Sequence, residues 1–147
     1  MVNKKIVTIF LLLFLITSTI SCVYADDDDR SYSITQALVD IIVDTNGMLH
    51  INETFDYSFD GTFNGVYRDI PLKEGESISN IHVSAEGAYT KVEQHQEDGT
   101  QHIKIYLYSD AAKTQPISDT NVKVHISYDM KNVVTVYQDT ASLQYQL

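Results

Sequence analysis

The sequence predicts an all-β fold, namely an antiparallel β-sandwich of about seven or eight strands behind an N-terminal signal or anchor segment. Apolar and polar residues alternate in at least six segments after residue 31, as in strands with one buried face. Turn-forming residues separate these segments about every 8–12 positions. No segment of ten or more residues after residue 25 repeats with the helical period of about 3.6. A closed β-barrel is the alternative with the same pattern.

The first 25 residues are organised as an export signal. Lys4 and Lys5 form a basic beginning, and Ile6–Ile20 is mostly apolar. The segment ends in small or modest residues at Ala25, so we expect cleavage between Ala25 and Asp26. The apolar run is shorter than the roughly 20 residues of a membrane span, and an uncleaved anchor is the alternative. Both interpretations predict an exported chain, either extracellular or held at the membrane and facing outside.

Two residues fit patterns of covalent modification. Cys22 is the only cysteine, and the sequence Thr-Ile-Ser-Cys that it ends loosely resembles a lipoprotein cleavage box, which makes Cys22 a candidate lipidation site. Because Cys22 lies within the signal, the mature chain can form no internal disulfide. Asn52 begins the pattern Asn-Glu-Thr, an N-glycosylation acceptor, on the predicted wet face of its strand.

The charge balance is strongly acidic. The chain has 10 Lys and Arg residues against 20 Asp and Glu residues. Cleavage of the signal removes Lys4 and Lys5 but no acidic residue, which leaves a net charge of −12. Such a surface repels phosphate backbones and anionic lipid headgroups, so we expect no nucleic-acid partner. Residues 26–31, mostly aspartates, are predicted to be a disordered acidic arm before one β-sandwich domain at residues 32–147.

Turn signals divide the domain into strands. Asp44–Gly47 ends in Asn-Gly, a strong hairpin signal, between the predicted strands Ala37–Val43 and Met48–Phe59. Glu97–Thr100 is a second hairpin signal. Pro71 lacks a backbone donor and suits a strand end or an edge strand. The other predicted strands are Val66–Leu72, Ile78–Ala85, Tyr89–Gln94, Gln101–Tyr108, Asn121–Met130, Val133–Tyr137 and Leu143–Leu147.

One acidic and one basic residue fall on strand faces that are otherwise apolar. Glu53 interrupts the apolar face of Met48–Phe59, and Arg68 shares a face with Val66 and Ile70. A buried unpaired charge is very costly, and arginine can meet a carboxylate with two parallel hydrogen bonds. We therefore predict that Glu53 and Arg68 form a structural ion pair.

No motif assigns a catalytic activity. The sequence has no P-loop, no dinucleotide-binding glycine pattern and no nucleophile elbow. Glu53, Asp56, Asp60 and Asp69 could supply a carboxylate pair for glycoside hydrolysis. However, 122 mature residues leave little room for a sugar cleft, and tryptophan is absent. We therefore expect a non-enzymatic protein without a cofactor.

Two metal sites are conceivable from residue type alone. His95 and His102 flank the second hairpin turn and could face each other, with Glu93 or Asp98 as further zinc ligands. Zinc needs three or four ligands in tetrahedral reach, and this spacing is not diagnostic. Asp26–Asp29 and loop acids could bind calcium, but aspartates in a flexible arm rarely preorganise enough oxygens. We assign no metal site.

The chain has ten tyrosines, an unusual number for its length. Ordinary β propensity accounts for many of them. Tyrosines on outward faces also suit cross-strand pairing and protein interfaces. Tyrosines that fall in or beside predicted strands include Tyr89, Tyr106, Tyr108, Tyr128 and Tyr137.

The run Gly65–Pro71, Gly-Val-Tyr-Arg-Asp-Ile-Pro, carries a resemblance to a known family. Weaker parts of the same pattern are the hairpin at Asp44–Gly47, Glu53 before two aromatic residues, and Tyr128-Asp129 followed by Val133–Leu143. From Tyr32 to about Leu147 the chain resembles predicted membrane proteins that carry domain of unknown function 2207. This resemblance implies an export signal, an extracytoplasmic β-domain and transmembrane helices after it, and it implies no activity.

The sequence ends at Leu147 without a spanning segment, so we expect a fragment, a truncated product or a free secreted version. The leading functional hypothesis is a non-enzymatic, extracytoplasmic module for interaction or sensing. Its partner would be an unknown protein or cell-envelope component, with membrane attachment through the N-terminal segment or a missing C-terminal region. The alternatives are a small secreted hydrolase using Glu53 or Asp69, and a calcium-dependent adhesion module using Asp26–Asp29.

Overall fold

A computed structural model describes residues 30–136 and 141–143. These residues form eleven β-strands and no helix, which confirms the predicted all-β class. Seven of the strands have seven or more residues, and the other four have two or three. The strands are β1 (Ser31–Val43), β2 (Leu49–Asp60), β3 (Thr62–Phe63), β4 (Gly65–Pro71), β5 (Ser77–Glu86), β6 (Tyr89–Glu97), β7 (Thr100–Tyr108), β8 (Ile117–Ser118), β9 (Asn121–Lys131), β10 (Val134–Val136) and β11 (Ala141–Leu143).

Two larger sheets form the predicted antiparallel sandwich. One sheet has four strands in the order β1-β2-β9-β5, and the other has three in the order β4-β7-β6. The pairs β3–β8 and β10–β11 form two small ribbons, and every strand pair is antiparallel. Pro71 is the last residue of β4, an edge strand, as its missing backbone donor predicts.

The core lies between the two larger sheets. Burial alternates residue by residue along β7 and β9, with apolar side chains inward. β2 and β9 supply one side of a single apolar cluster, and β4 and β7 supply the other. The sandwich therefore buries its apolar faces in the way that period-2 alternation predicts.

The first hairpin has the predicted turn but a longer first strand. The Asp44 carboxylate accepts hydrogen bonds from the backbone nitrogens of Asn46 and Met48, and Gly47 has a φ of 76°. β1 begins at Ser31 rather than at Ala37, so the predicted start of this strand is wrong. A bulge between Ile34 and Gln36 is the reason, because it breaks the period-2 pattern that defines a strand in sequence.

A second bulge explains the irregular pattern of β5. The pairing of β5 with β9 shifts between Ser79 and His82, and Asn80 has a φ of 54°. Ile78 and Ile81 consequently both pack against the core although they are three residues apart.

Candidate functional site

The structure brings Glu53 and Arg68 together between the two sheets. Arg68 Nε donates to Glu53 Oε2 at 2.8 Å, and Nη2 donates to Oε1 at 2.7 Å. Glu53 lies on β2 of the four-stranded sheet, and Arg68 lies on β4 of the three-stranded sheet. The Glu53 side chain is fully buried, whereas the Arg68 side chain is 17% exposed. This two-point contact therefore joins the sheets across the core.

Tyr128 completes the arrangement around the carboxylate. Its hydroxyl, on β9, donates to Glu53 Oε1 at 2.9 Å in a fully buried position. Arg68 Nη1 also donates to the backbone oxygen of Asp69 at 2.9 Å. Three donors, two from Arg68 and one from Tyr128, thus hydrogen-bond to the Glu53 carboxylate, which has no access to water. Such hydrogen bonds offset the cost of burying a charge. The sequence placed Tyr128 on an apolar face, but nothing in it indicated that the phenol would reach Glu53.

The carboxylates of the hydrolase hypothesis do not converge. Arg68 points inward on β4, so its neighbour Asp69 points to the outer face of the three-stranded sheet, where His102 Nδ1 lies 2.9 Å from Oδ1. Glu53 is on the inner side. Asp56 lies on the outer face of the four-stranded sheet, where its buried Oδ1 has no hydrogen bond and is 3.6 Å from Lys123 Nζ. Asp60 is the last residue of β2. No two of these groups frame a cleft between them.

The two histidines of the zinc hypothesis do face each other. His95 and His102 are cross-strand partners on β6 and β7, with ring centroids 4.8 Å apart. Glu93 instead accepts hydrogen bonds from Lys91 and Tyr106. Asp98 lies in the turn with a φ of 49°. Among the described residues no group of three or more His, Cys, Asp or Glu side chains could hold a metal ion.

Two of the described loop acids, Asp110 and Asp119, accept hydrogen bonds from backbone nitrogens. Asp110 accepts from the backbone nitrogens of Thr114 and Gln115, and Asp119 accepts from that of Gly61. These backbone hydrogen bonds lower the pKa of Asp110 and Asp119. Asp110 therefore orders its own loop, whereas Asp119 joins its loop to the turn after β2. Asp26–Asp29, the other part of the calcium hypothesis, lie outside the described residues.

Of the modification sites predicted from sequence, only Asn52 lies within the residues that the structure describes. Cys22, Ala25 and Asp26 lie outside the described residues. Asn52 is exposed on the outer face of β2, where a glycan would have room.

A group of tyrosines and lysines covers part of the outer face of the three-stranded sheet. We call Tyr67, Lys91, Lys104, Tyr106 and Tyr108 the tyrosine–lysine face. Lys104 Nζ lies 4.5 Å from the ring centroid of Tyr106 and 5.5 Å from that of Tyr67. Lys91 Nζ lies 5.2 Å from the Tyr106 ring, and Tyr106 stacks on Tyr108. Interaction with Tyr106, and then with Tyr67, raises the pKa of Lys104, so its ammonium stays charged.

Gly65 fixes the beginning of β4 beside this face. Its φ is 154°, and a Cβ at this position would overlap the carbonyl oxygen of Ile105 on the paired strand β7. Only glycine allows the two backbones to approach so closely. The first residue of the Gly-Val-Tyr-Arg-Asp-Ile-Pro run is thus required by backbone geometry, and the fourth, Arg68, by the ion pair.

The edge strand β1 is the most apolar exposed element. Tyr32, Ile34, Leu38, Ile42 and Val43 have exposed fractions of 46–62%. β1 pairs with β2 along one edge and is the first strand of its sheet. Apolar side chains on both faces of an edge strand are unusual in a soluble monomer.

The comparisons with known proteins assign a family. No curated protein and no solved structure matches the chain. No helix among residues 30–136 and 141–143 is long and apolar enough to cross a membrane. The family model "Predicted membrane protein (DUF2207) N-terminal domain" matches residues 33–147, which include β2 to β11 and nearly all of β1. The chain therefore belongs to the DUF2207 family of predicted membrane proteins, as their N-terminal domain.

Proposed function

We propose that this domain is a non-enzymatic, extracytoplasmic interaction module that binds a partner by strand addition at the open edge of β1. The export-signal pattern of residues 1–25 and membership of a family of predicted membrane proteins support an outward-facing location. The Glu53 side chain points into the core and the Asp69 side chain points to the outer face, so the two carboxylates do not face each other across a cleft. This arrangement supports a non-catalytic role.

The observation that carries the proposal is the length and composition of β1. Exposed edge strands are normally short or protected by lysine, proline or inward-pointing charge. β1 has thirteen residues without lysine or proline, and Asp40 is its only charged residue. Its bulge lies near the start, so Gln36–Val43 is regular and offers a template of backbone donors and acceptors.

A second copy of the chain is the partner that β1 fits by its own chemistry. Two β1 strands that run antiparallel about Leu38 set Leu38 opposite itself and Asp40 opposite Gln36. No like charges then face each other, and Ala37 stands opposite Val39 on the inner face. Such a contact is isologous, as twofold dimers require, and it joins two four-stranded sheets into one of eight strands.

Sedimentation of the purified protein from about 1 μM to 1 mM tests this proposal, because weak interfaces assemble within that range. We expect a monomer–dimer equilibrium. The double variant Leu38→Lys/Ile42→Lys should be monomeric, since the two lysines at position 38 would face each other and those at position 42 would add charge to the same outer face. The matched control is His82→Lys/Ser84→Lys on β5, the other edge of the same sheet, which adds the same charge and should still dimerise.

Amide hydrogen exchange identifies the surface involved. In the wild type, amides of β1 should become more protected as protein concentration rises, whereas those of β5 should not change. A protein that stays monomeric throughout the range would contradict self-association. Loss of the dimer in the β5 control, or protection that rises on β5 instead, would show that β1 is not the interface.

A further inference from the structure

The core-facing row of β1 is only partly covered by the residues that the structure describes. Its side chains share a face with the core residues of β2, and three of them are 46–60% exposed. Apolar side chains on the inner side of a sandwich normally pack against the opposite sheet. The row consists of Tyr32, Ile34, Ala37, Val39, Ile41 and Val43.

The opposite sheet is one strand narrower on the side of β1. The four-stranded sheet has the order β1-β2-β9-β5, and the other sheet has the order β4-β7-β6. The Glu53–Arg68 pair places β4 opposite β2, so no strand among residues 30–136 and 141–143 lies opposite β1. At the starts of β1 and β4 this position is a cavity of about 290 Å³, with Tyr32 and Val66 among its walls and no charged residue in its lining.

The edge of β4 that borders this position can accept a further strand. Asn64 and Leu72, which flank β4, hydrogen-bond through their backbones to the β6–β7 hairpin. Bonded and outward-pointing residues alternate in an antiparallel pair, so the backbone groups of Tyr67 and Asp69 point away from β7. Arg68 Nη1 reaches the Asp69 carbonyl oxygen at this edge, but none of the described strands pairs with it.

The segment that follows β11 has the pattern of a strand with one buried face. Leu143, Tyr145 and Leu147 alternate with Gln144 and Gln146, and the segment carries no side-chain charge. β11 ends at Leu143, and residues 144–147 lie outside the described residues. The family model extends through residue 147, so this segment belongs to the same domain.

β11 ends at the end of the sandwich from which such a strand can start. Leu143 pairs with Val134, whose Cβ would lie 3.9 Å from a Cβ added to Gly47 in the β1–β2 turn. β4 runs toward the same end, because its first residues line the cavity together with the last part of β2. A chain that leaves Leu143 along β4 is therefore antiparallel to it. Four extended residues span about 13 Å, which is enough to pass from Pro71 back to Arg68.

We infer that residues 144–147 add as an antiparallel strand to the free edge of β4 and cover the core-facing row of β1. Tyr145 and Leu147 pack inward on the side of Ile70 and Arg68, and the two glutamines lie on the polar outer face. Each large sheet then has four strands. The added strand lies in the opposite sheet, so the edge of β1 stays open and the inference is independent of the proposed strand addition.

Amide hydrogen exchange of the purified protein tests this pairing at Asp69. Its amide points away from β7, and the backbone of Gln146 should accept a hydrogen bond from it. Pro71 has no N–H, so it can only accept from the added strand. In the wild type, the Asp69 amide should exchange at least about tenfold more slowly than an unpaired amide. This protection should be constant over an about hundredfold range of protein concentration, because the strand belongs to the same chain.

Two matched double variants test the alternation. Tyr145→Ser/Leu147→Ser removes the inward side chains, so it should abolish the protection of Asp69 and lower the urea concentration at half-unfolding. Gln144→Ser/Gln146→Ser changes two outward side chains of the same segment and should leave both quantities nearly unchanged. The far-UV spectrum checks that each variant is folded.

Three results would overturn the inference. Fast exchange at Asp69 in the wild type would show that the edge of β4 is unpaired, whether or not the variants fold. Equal effects of the two double variants would show that the segment has no inward face. Protection of Asp69 that rises with protein concentration would show that a second copy, and not residues 144–147, occupies this edge.

Discussion

β1 and β9 both pair antiparallel with β2, one on each side, but they end in different environments. β1 has eight apolar residues among thirteen, and none of them is fully buried. β9 has only five among eleven, and all five are buried. β9 is a central strand that faces β7 across the core, whereas β1 is an edge strand, and among the described strands its extensive contacts are with β2. Burial in this sandwich is therefore decided by cover from the opposite sheet and not by hydrophobicity.

The largest expected effect on the free energy of unfolding comes from the buried ion pair of Glu53 and Arg68. Glu53→Gln or Arg68→Met should each lower the free energy of unfolding by about 3–5 kcal/mol, because each leaves the other group without its partner. The double variant should lose clearly less than the sum of the two. Urea unfolding measures all three. Lys91→Met breaks the exposed pair with Glu93 and should cost clearly less than either change to the buried pair, because water screens exposed charges. Additive losses for the buried pair would show that the two groups act separately.

Truncation of one isoleucine on each strand tests the comparison directly. Ile126→Ala on β9 should cost about 2–5 kcal/mol, because it leaves a cavity in a fully covered position. Ile42→Ala on β1 should change the free energy of unfolding by no more than about 0.5 kcal/mol, since that side chain is 62% exposed. Both free energies are measured at low protein concentration, where the proposed dimer is dissociated. Equal losses would mean that β1 is covered in solution.

Two tyrosines on the inward faces of these strands sharpen the contrast further. Tyr128→Phe should cost roughly 1.5–3 kcal/mol, because the buried Glu53 carboxylate loses one of its donors. Tyr32→Phe on β1 makes the same chemical change at a position that is 60% exposed, and we expect less than about 0.5 kcal/mol. Thermal unfolding of the wild type and both variants under the same conditions measures the two losses of stability. If Tyr128→Phe left the stability unchanged, a water molecule would have replaced the phenol hydroxyl as a donor to Glu53.

The smallest effect is a dependence on pH at the outer face of β9. Hydrogen bonds from Asn80 and then from His50 lower the pKa of Asp129 below its usual 3.8. A depressed pKa in the folded state stabilises the fold above the ordinary pKa, and that contribution is lost as pH falls through the folded value. Asp129→Asn should therefore be less stable than the wild type at pH 5–7, and the difference should shrink as the pH falls below 3.8. A difference that persisted at the lowest pH would assign the loss to packing instead.

The features that follow from local pattern are the ones that the sequence predicts correctly. Alternation along β7 and β9, the Asn-Gly hairpin and the position of Pro71 each depend on residues close together in the chain. The proximity of Glu53 and Arg68 was also predictable, because a charge on an apolar face needs an opposite charge. The bulges in β1 and β5 were not, since each depends on a partner strand that is distant in sequence.

The all-β class, the negative net charge and the strand faces of Glu53 and Arg68 follow from the amino-acid sequence alone. The folded arrangement was needed to show that this ion pair bridges two sheets, that Tyr128 joins it, and that β1 stays exposed. The same holds for the tyrosine–lysine face, which side chains from β4, β6 and β7 build together. The physical reason is that period-2 alternation assigns each side chain to a face, whereas strand order and sheet width determine what that face meets.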